Sequence, residues 1–356
     1  MKSPGQSVRI VERLAVQCAA RIQPFQYGVR ATTCRGQLLQ GGSLKNSRKR
    51  FLAYVCFCGG FIFAVSAGAQ EDHDPRSIGG GDCAKNAYNC VGAPNPLPPS
   101  DTVWIEEMTW FDVRDAVAGG KTTVIIPAGG IEPNGPWIAL GKHDYIVRPS
   151  CEAIARKLGN ALCAPVVPFV PEGDMDAKTG HMKSPGTIGV REETYEALLT
   201  DIAHSVKAHG FHHIILIGDH GGDEDGMKAV AARLQDEWKF QPAVFYIAEY
   251  YKSWDGAVAL LYKKGLGKAE VTDGLHDDPT VTGLMMITDP KTVRWKERVK
   301  IGKATIDGVS IANEQKTLQW GRELLEYRAS VTADAITRTI AGQAKTIAGQ
   351  ADPHPP

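Results

Sequence analysis

The sequence predicts an α/β protein, a three-layer sandwich whose mostly parallel sheet is covered by helices. From Trp104 onward, short apolar runs alternate with segments of helical period. Two of those runs, at 122–127 and 214–217, stop abruptly in glycine turns, Ala128-Gly129-Gly130 and Asp219-His220-Gly221-Gly222. Both turns deliver side chains that bind metals or move protons, at the strand ends where α/β proteins place their chemistry.

The elements follow in order. Residues 70–100 form a Pro/Gly-rich leader, read as an extended surface strap. A helix is expected over 105–118, a strand over 122–126, a helix over 145–158 and a strand over 161–169. Next come a helix over 192–209, a strand over 214–218, a helix over 226–238 and a strand over 243–248. The aromatic stretch that follows this last strand, Tyr246 to Trp254, reads either as core or as a pocket wall at the same sheet edge. An apolar segment at 284–287 and a helix over 313–328 complete a domain of 101–330. The tail, 331–356, holds two copies of Thr-Ile-Ala-Gly-Gln-Ala and reads as a fraying helix.

The first 69 residues do not read as folded protein. A basic cluster at 45–50, an uncharged apolar stretch at 51–65 and Ala67-Gly68-Ala69 follow the plan of a secretory signal peptide, with cleavage expected near Ala69. Residues 1–43 lack hydrophobic periodicity, and translation is expected to begin near Leu44. These features imply a periplasmic or secreted protein with no stable membrane insertion after cleavage.

Ten of the 40 Lys/Arg and one of the 40 Asp/Glu lie in residues 1–69, so the remainder carries nine more acidic than basic side chains. That balance argues against a nucleic-acid partner. Four cysteines remain after cleavage. Cys83 and Cys90 are placed to close a small loop in the leader, whereas Cys151 and Cys163 fall in a helix-like and a strand-like segment. None has a CxxC neighbour, which argues against thiol redox or zinc–thiolate chemistry.

The two glycine turns supply Glu132, His143, Asp144 and His220 as candidate metal ligands. Asp219 and Asp223 flank His220, either to orient its ring or, for Asp223, to cap the following helix.

The segments 127–144, 180–188, 209–222 and 274–278 together resemble the creatininase family of metal-dependent amidohydrolases, in that family's order and spacing. The resemblance implies a creatininase-like fold in which two metal ions activate water for attack on a small, often cyclic, amide. It also implies a homo-oligomer. Two departures stand out. The family's Gln-His is Pro133-Asn134 here, an amide being a far poorer ligand for zinc, and its bridging Asp falls on His143 with Asp144 next door. Either of these two is therefore the ligand. In the late stretch His276 matches, while Ala-Gly-Glu has become Asp277-Asp278-Pro279.

These readings give Glu132, His143, Asp144, His220 and Asp278 as metal candidates, and His276 and Asp277 as catalytic candidates for proton transfer. Asn134, His181 and Lys142 are candidate substrate contacts, Lys142 for a substrate carboxylate. The expected cofactor is a divalent metal, Zn or Mn, as one or two ions. The expected activity is hydrolysis of a C–N bond in a small amide by an exported enzyme. The rival readings are a binding or structural protein that kept the fold after losing metal, and a hydrolase of short peptides.

Overall fold

The sheet has four strands, β1 (Thr123–Ala128), β2 (Ala161–Cys163), β3 (His213–Gly218) and β4 (Ala243–Tyr246), all parallel in the order β2-β1-β3-β4. This computed structural model describes residues 86–266 and 276–351, with the backbone alone for 89 and 345–351. The candidate signal peptide and Cys83 lie outside the described residues.

Register places the chemistry. Ala128 at the end of β1 partners Gly218 at the end of β3, so the loops carrying Glu132 and His220 leave the sheet side by side. Both strands are apolar and almost wholly buried, as expected for strands covered on two faces.

The helices form the outer layers. α2 (Lys142–Leu158) packs on β1 and β2, and α5 (Ala248–Lys263) on β3; both lean on α8 (Glu314–Ala351). α4 (Glu224–Trp238) packs on β3 and β4 and against α3 (Glu192–Ala208). α6 (Pro279–Thr288), which contains the apolar segment at 284–287, lies against α8 and α2. α7 (Trp295–Lys300) and a small antiparallel pair, β5 (Thr305–Ile306) and β6 (Val309–Ser310), precede α8. No helix among the described residues is long and apolar enough to cross a membrane.

Several boundaries differ from expectation for local reasons. The helix expected over 105–118 divides into a 3-10 turn, Ile105–Glu107, and α1 (Trp110–Ala118), because Thr109 and Asp112 form a reciprocal capping box that starts a helix afresh. The strand expected over 161–169 ends at Cys163, since Pro165 and Pro168 have no N–H to donate; Val167 alone bridges back to Ala128. The tail does not fray at 331: α8 continues to Ala351, and buried Ala333 and Ile336 join the main core.

α2 starts three residues earlier than expected, which brings Lys142 and His143 into its first turn. Pro149 lies inside this helix and leaves the Tyr145 carbonyl without its usual donor. The Thr288 hydroxyl donates to that carbonyl at 2.7 Å, tying α6 to α2. A Cys151–Cys163 disulfide joins α2 to β2.

Candidate metal centre

Three loops converge at the carboxyl edge of the sheet. Glu132 comes from the loop after β1, His220 from the turn after β3, and Glu172 and His181 from the long connection between β2 and α3. One donor atom from each of these four lies within 4.8 Å of every other.

Glycines permit the approach. A Cβ on Gly222 would lie 2.7 Å from His220 Cε1 and 2.9 Å from the Pro171 carbonyl oxygen, so only glycine lets the Glu172 loop close on the His220 turn. Gly173, at φ +120°, meets the Thr179 carbonyl in the same way and doubles the loop back to bring His181 beside Glu172. The His181 N–H then donates to the Glu172 carbonyl at 3.0 Å.

Glu132 Oε2 lies 3.0 Å from His181 Nδ1 and 3.2 Å from His220 Nε2; Glu172 Oε2 lies 2.7 Å and 3.5 Å from the same two nitrogens. A tetrahedral ion with ligand bonds near 2.0–2.1 Å has donors roughly 3.3 Å apart, so these separations match. Glu132 Oε2, which faces both imidazoles, is also buried without a hydrogen-bond partner. An orphaned carboxylate oxygen beside two imidazoles is costly unless a cation is shared among them. The donor set therefore fits a divalent ion.

The surrounding charges are arranged in layers. His220 Nδ1 faces both the Gly222 N–H at 3.2 Å and Asp223 Oδ1 at 3.5 Å. Burial lowers the His220 pKa, but Asp223, Glu132 and Glu172 outweigh it and push the ring up to about 10. Burial likewise opposes ionisation of Glu132, yet His143, His220 and Lys142 hold its pKa well below the ordinary carboxylate range. His143 bridges two carboxylates, with Nε2 3.0 Å from Glu132 Oε1 and Nδ1 2.8 Å from Asp219 Oδ2. The other Asp219 oxygen accepts from Tyr250 and from the wholly buried Arg328 of α8, each at 2.9 Å.

The remaining predicted residues divide. His276 Nε2 stands 3.6 Å from Glu132 Oε1, and burial followed by the Lys142 charge pulls its pKa down to about 4, so its ring is neutral at pH 7. Lys142, expected to meet a substrate carboxylate, is buried and donates to Glu132 Oε1 at 2.7 Å. Asp144 accepts from the Gly130 N–H at 3.2 Å, outside the four-residue cluster, and burial raises its pKa to about 6. Asp277, expected near the proton chemistry, turns instead to a two-point ion pair with Arg298. Asp278, expected to hold metal, caps α6 by accepting from the Thr280 and Val281 N–H groups. Asn134 donates to the Glu132 and Ala139 carbonyls and so folds its own loop.

Beside the cluster a cavity of about 300 Å³ is lined by Lys142, His143, His276 and the α5 aromatics Tyr251 and Trp254. The aromatic stretch read as core or pocket wall is thus divided, with Tyr246 in β4, Tyr250 buried behind Asp219, and Tyr251 and Trp254 facing the cavity.

Fold and site together define an α/β protein with a candidate metal centre at the carboxyl edge of its parallel sheet. Residues 106–339 match the model of the creatinine amidohydrolase family, Creatininase, and the chain belongs to that family. It is similar to a creatinine amidohydrolase of Pseudomonas putida, at 24% identity over 34% of this chain and 46% of that protein. It is also similar to a 3-dehydro-scyllo-inosose hydrolase of Thermotoga maritima, at 27% identity over 33% of this chain and 36% of that one. The chain thus spans less than half the length of these curated relatives. Among solved structures, a creatininase variant with tryptophan replaced by alanine superposes at TM-score 0.50, 20% identity, over 67% of this chain and 99% of its own. A glutamate-to-glutamine variant described as the Zn-Zn type gives TM-score 0.50, 19% identity and the same coverage. Both show the shared fold.

Proposed function

We propose that this chain is an exported, metal-dependent amidohydrolase that cleaves a C–N bond in a small, cyclic or open, amide. The observation that carries this reading is the convergence of Glu132, Glu172, His181 and His220 around the orphaned Glu132 Oε2. The family's activity and the names of the curated relatives support a small-molecule substrate, and so does the size of the cavity.

In this reading those four side chains hold the ion, zinc or manganese by donor chemistry. When bound, such an ion lowers the pKa of water to roughly 7 and polarises the carbonyl under attack. His276, neutral and facing the cavity, would accept a proton from the attacking water and pass it to the leaving nitrogen. His143, braced by Asp219, and Lys142 fix the orientation of Glu132. Export rests on the basic, apolar and small-residue pattern at 45–69, and assembly as a homo-oligomer on the family resemblance.

Hydrolysis of a panel of lactams, cyclic ureas and short peptides tests the proposal, using protein stripped with chelator and then reloaded with zinc or manganese. Metal-dependent turnover of a non-peptide amide is expected. Tight metal binding without turnover of any amide would instead favour a binding protein, and turnover confined to peptides a peptidase.

A further inference from the structure

The two oxygens of the Glu132 carboxylate face different surroundings. Oε2 looks into the His181–His220–Glu172 cluster, whereas Oε1 is engaged by the Lys142 ammonium at 2.7 Å and by His143 Nε2 at 3.0 Å. Lys142 is 2% exposed and occupies the first position of α2, where the helix dipole disfavours a positive charge. A buried lysine in so unfavourable a place is held by its anion.

Among the described residues, Glu132 is the carboxylate that pairs with Lys142. Asp144 is turned to the Gly130 N–H, Asp219 is shared by Arg328, Tyr250 and His143, and Asp277 is paired with Arg298. We propose that Lys142 is a built-in cation on the Oε1 side of Glu132 that confines this chain to a single divalent ion at the Glu132–Glu172–His181–His220 cluster. The inference rests on the metal-site reading above. The ammonium supplies on one flank of Glu132 the positive charge that another ion would otherwise bring, and repels any ion that approaches Oε1.

Stoichiometry decides the matter. Chelator-stripped protein is titrated with Mn²⁺ alone, with ion content read by native mass spectrometry and the electronic coupling by electron paramagnetic resonance. The wild type should bind one ion per chain and give the spectrum of an isolated Mn²⁺. Lys142→Met, which keeps length and removes charge, should take up a second ion next to Oε1 and show an exchange-coupled pair; Lys142→Arg should remain at one. Two ions in the wild type would overturn the inference and leave the metal site standing. A single ion in a folded Lys142→Met protein would overturn it too. No ion in any form would remove the underlying site with it. Should Lys142→Met not fold, the wild-type count alone still decides.

Discussion

Glu172 Oε2 lies 2.7 Å from His181 Nδ1, although the two residues sit on opposite limbs of a loop that doubles back at Gly173. If both are ligands, as we propose, Glu172→Gln should weaken zinc or manganese retention by at least ~100-fold, beyond what loss of a supporting residue costs. Metal content after dialysis checks this; unchanged retention would remove Glu172 from the centre.

Metal binding should depend steeply on pH. The His220 ring, raised to about 10 by Asp223 and Glu132 against the effect of burial, carries a proton at neutral pH that a bound ion must displace. Apparent affinity should therefore rise about tenfold per pH unit from about pH 6 upward, for one proton released. In metal-free protein the same proton stabilises the fold fully below about 6.5. That contribution fades as pH climbs toward the ring's folded value, so the metal-free form should lose stability on the alkaline side. Calorimetric titration in buffers of different ionisation enthalpy counts the proton directly.

Gly222→Ala is expected to separate the His220 turn from the Pro171–Glu172 segment. The added methyl would press on His220 Cε1 and on a backbone carbonyl that has little room to yield. A loss of ~1–3 kcal/mol in stability is expected, with weakened metal binding; denaturant melts of the metal-free and loaded forms report both.

Arg328→Met should destabilise by ~3–5 kcal/mol, because it strips Asp219 of its buried counter-charge. Adding Asp219→Asn should recover part of that loss. If the single substitution leaves the unfolding midpoint unmoved, Arg328 has no such role.

Much of the fold was legible from residue pattern alone, and part of the centre. The apolar runs ending in Gly129-Gly130 and Gly221-Gly222 identified β1 and β3, and register carried Glu132 and His220 together. Glu172 was missed because it stands between Pro171 and Gly173 in an irregular stretch, with no strand or helical period to give it a direction. The one available signal was its pairing with Gly180-His181, two acid/base residues each beside a glycine able to reverse the chain. Asp277 and Asp278 stand apart from the four-residue cluster for the opposite reason. Their sequence position suggested the centre, but Arg298 and the start of α6 offered them partners that only tertiary structure reveals. The length of α8 was hidden too, since its burial depends on Ala333 and Ile336 meeting a core built from distant strands.

Arg328 reaches Asp219 across 109 positions of sequence, from the last helix described. A polypeptide emerging from the ribosome would expose that aspartate to its neighbours with no guanidinium to balance it until α8 had been made and docked. Neutralisation of Asp219 is thereby tied to completion of the fold, and a protease that clipped α8 upstream of Arg328 would strip that counter-charge without touching any of the four proposed ligands.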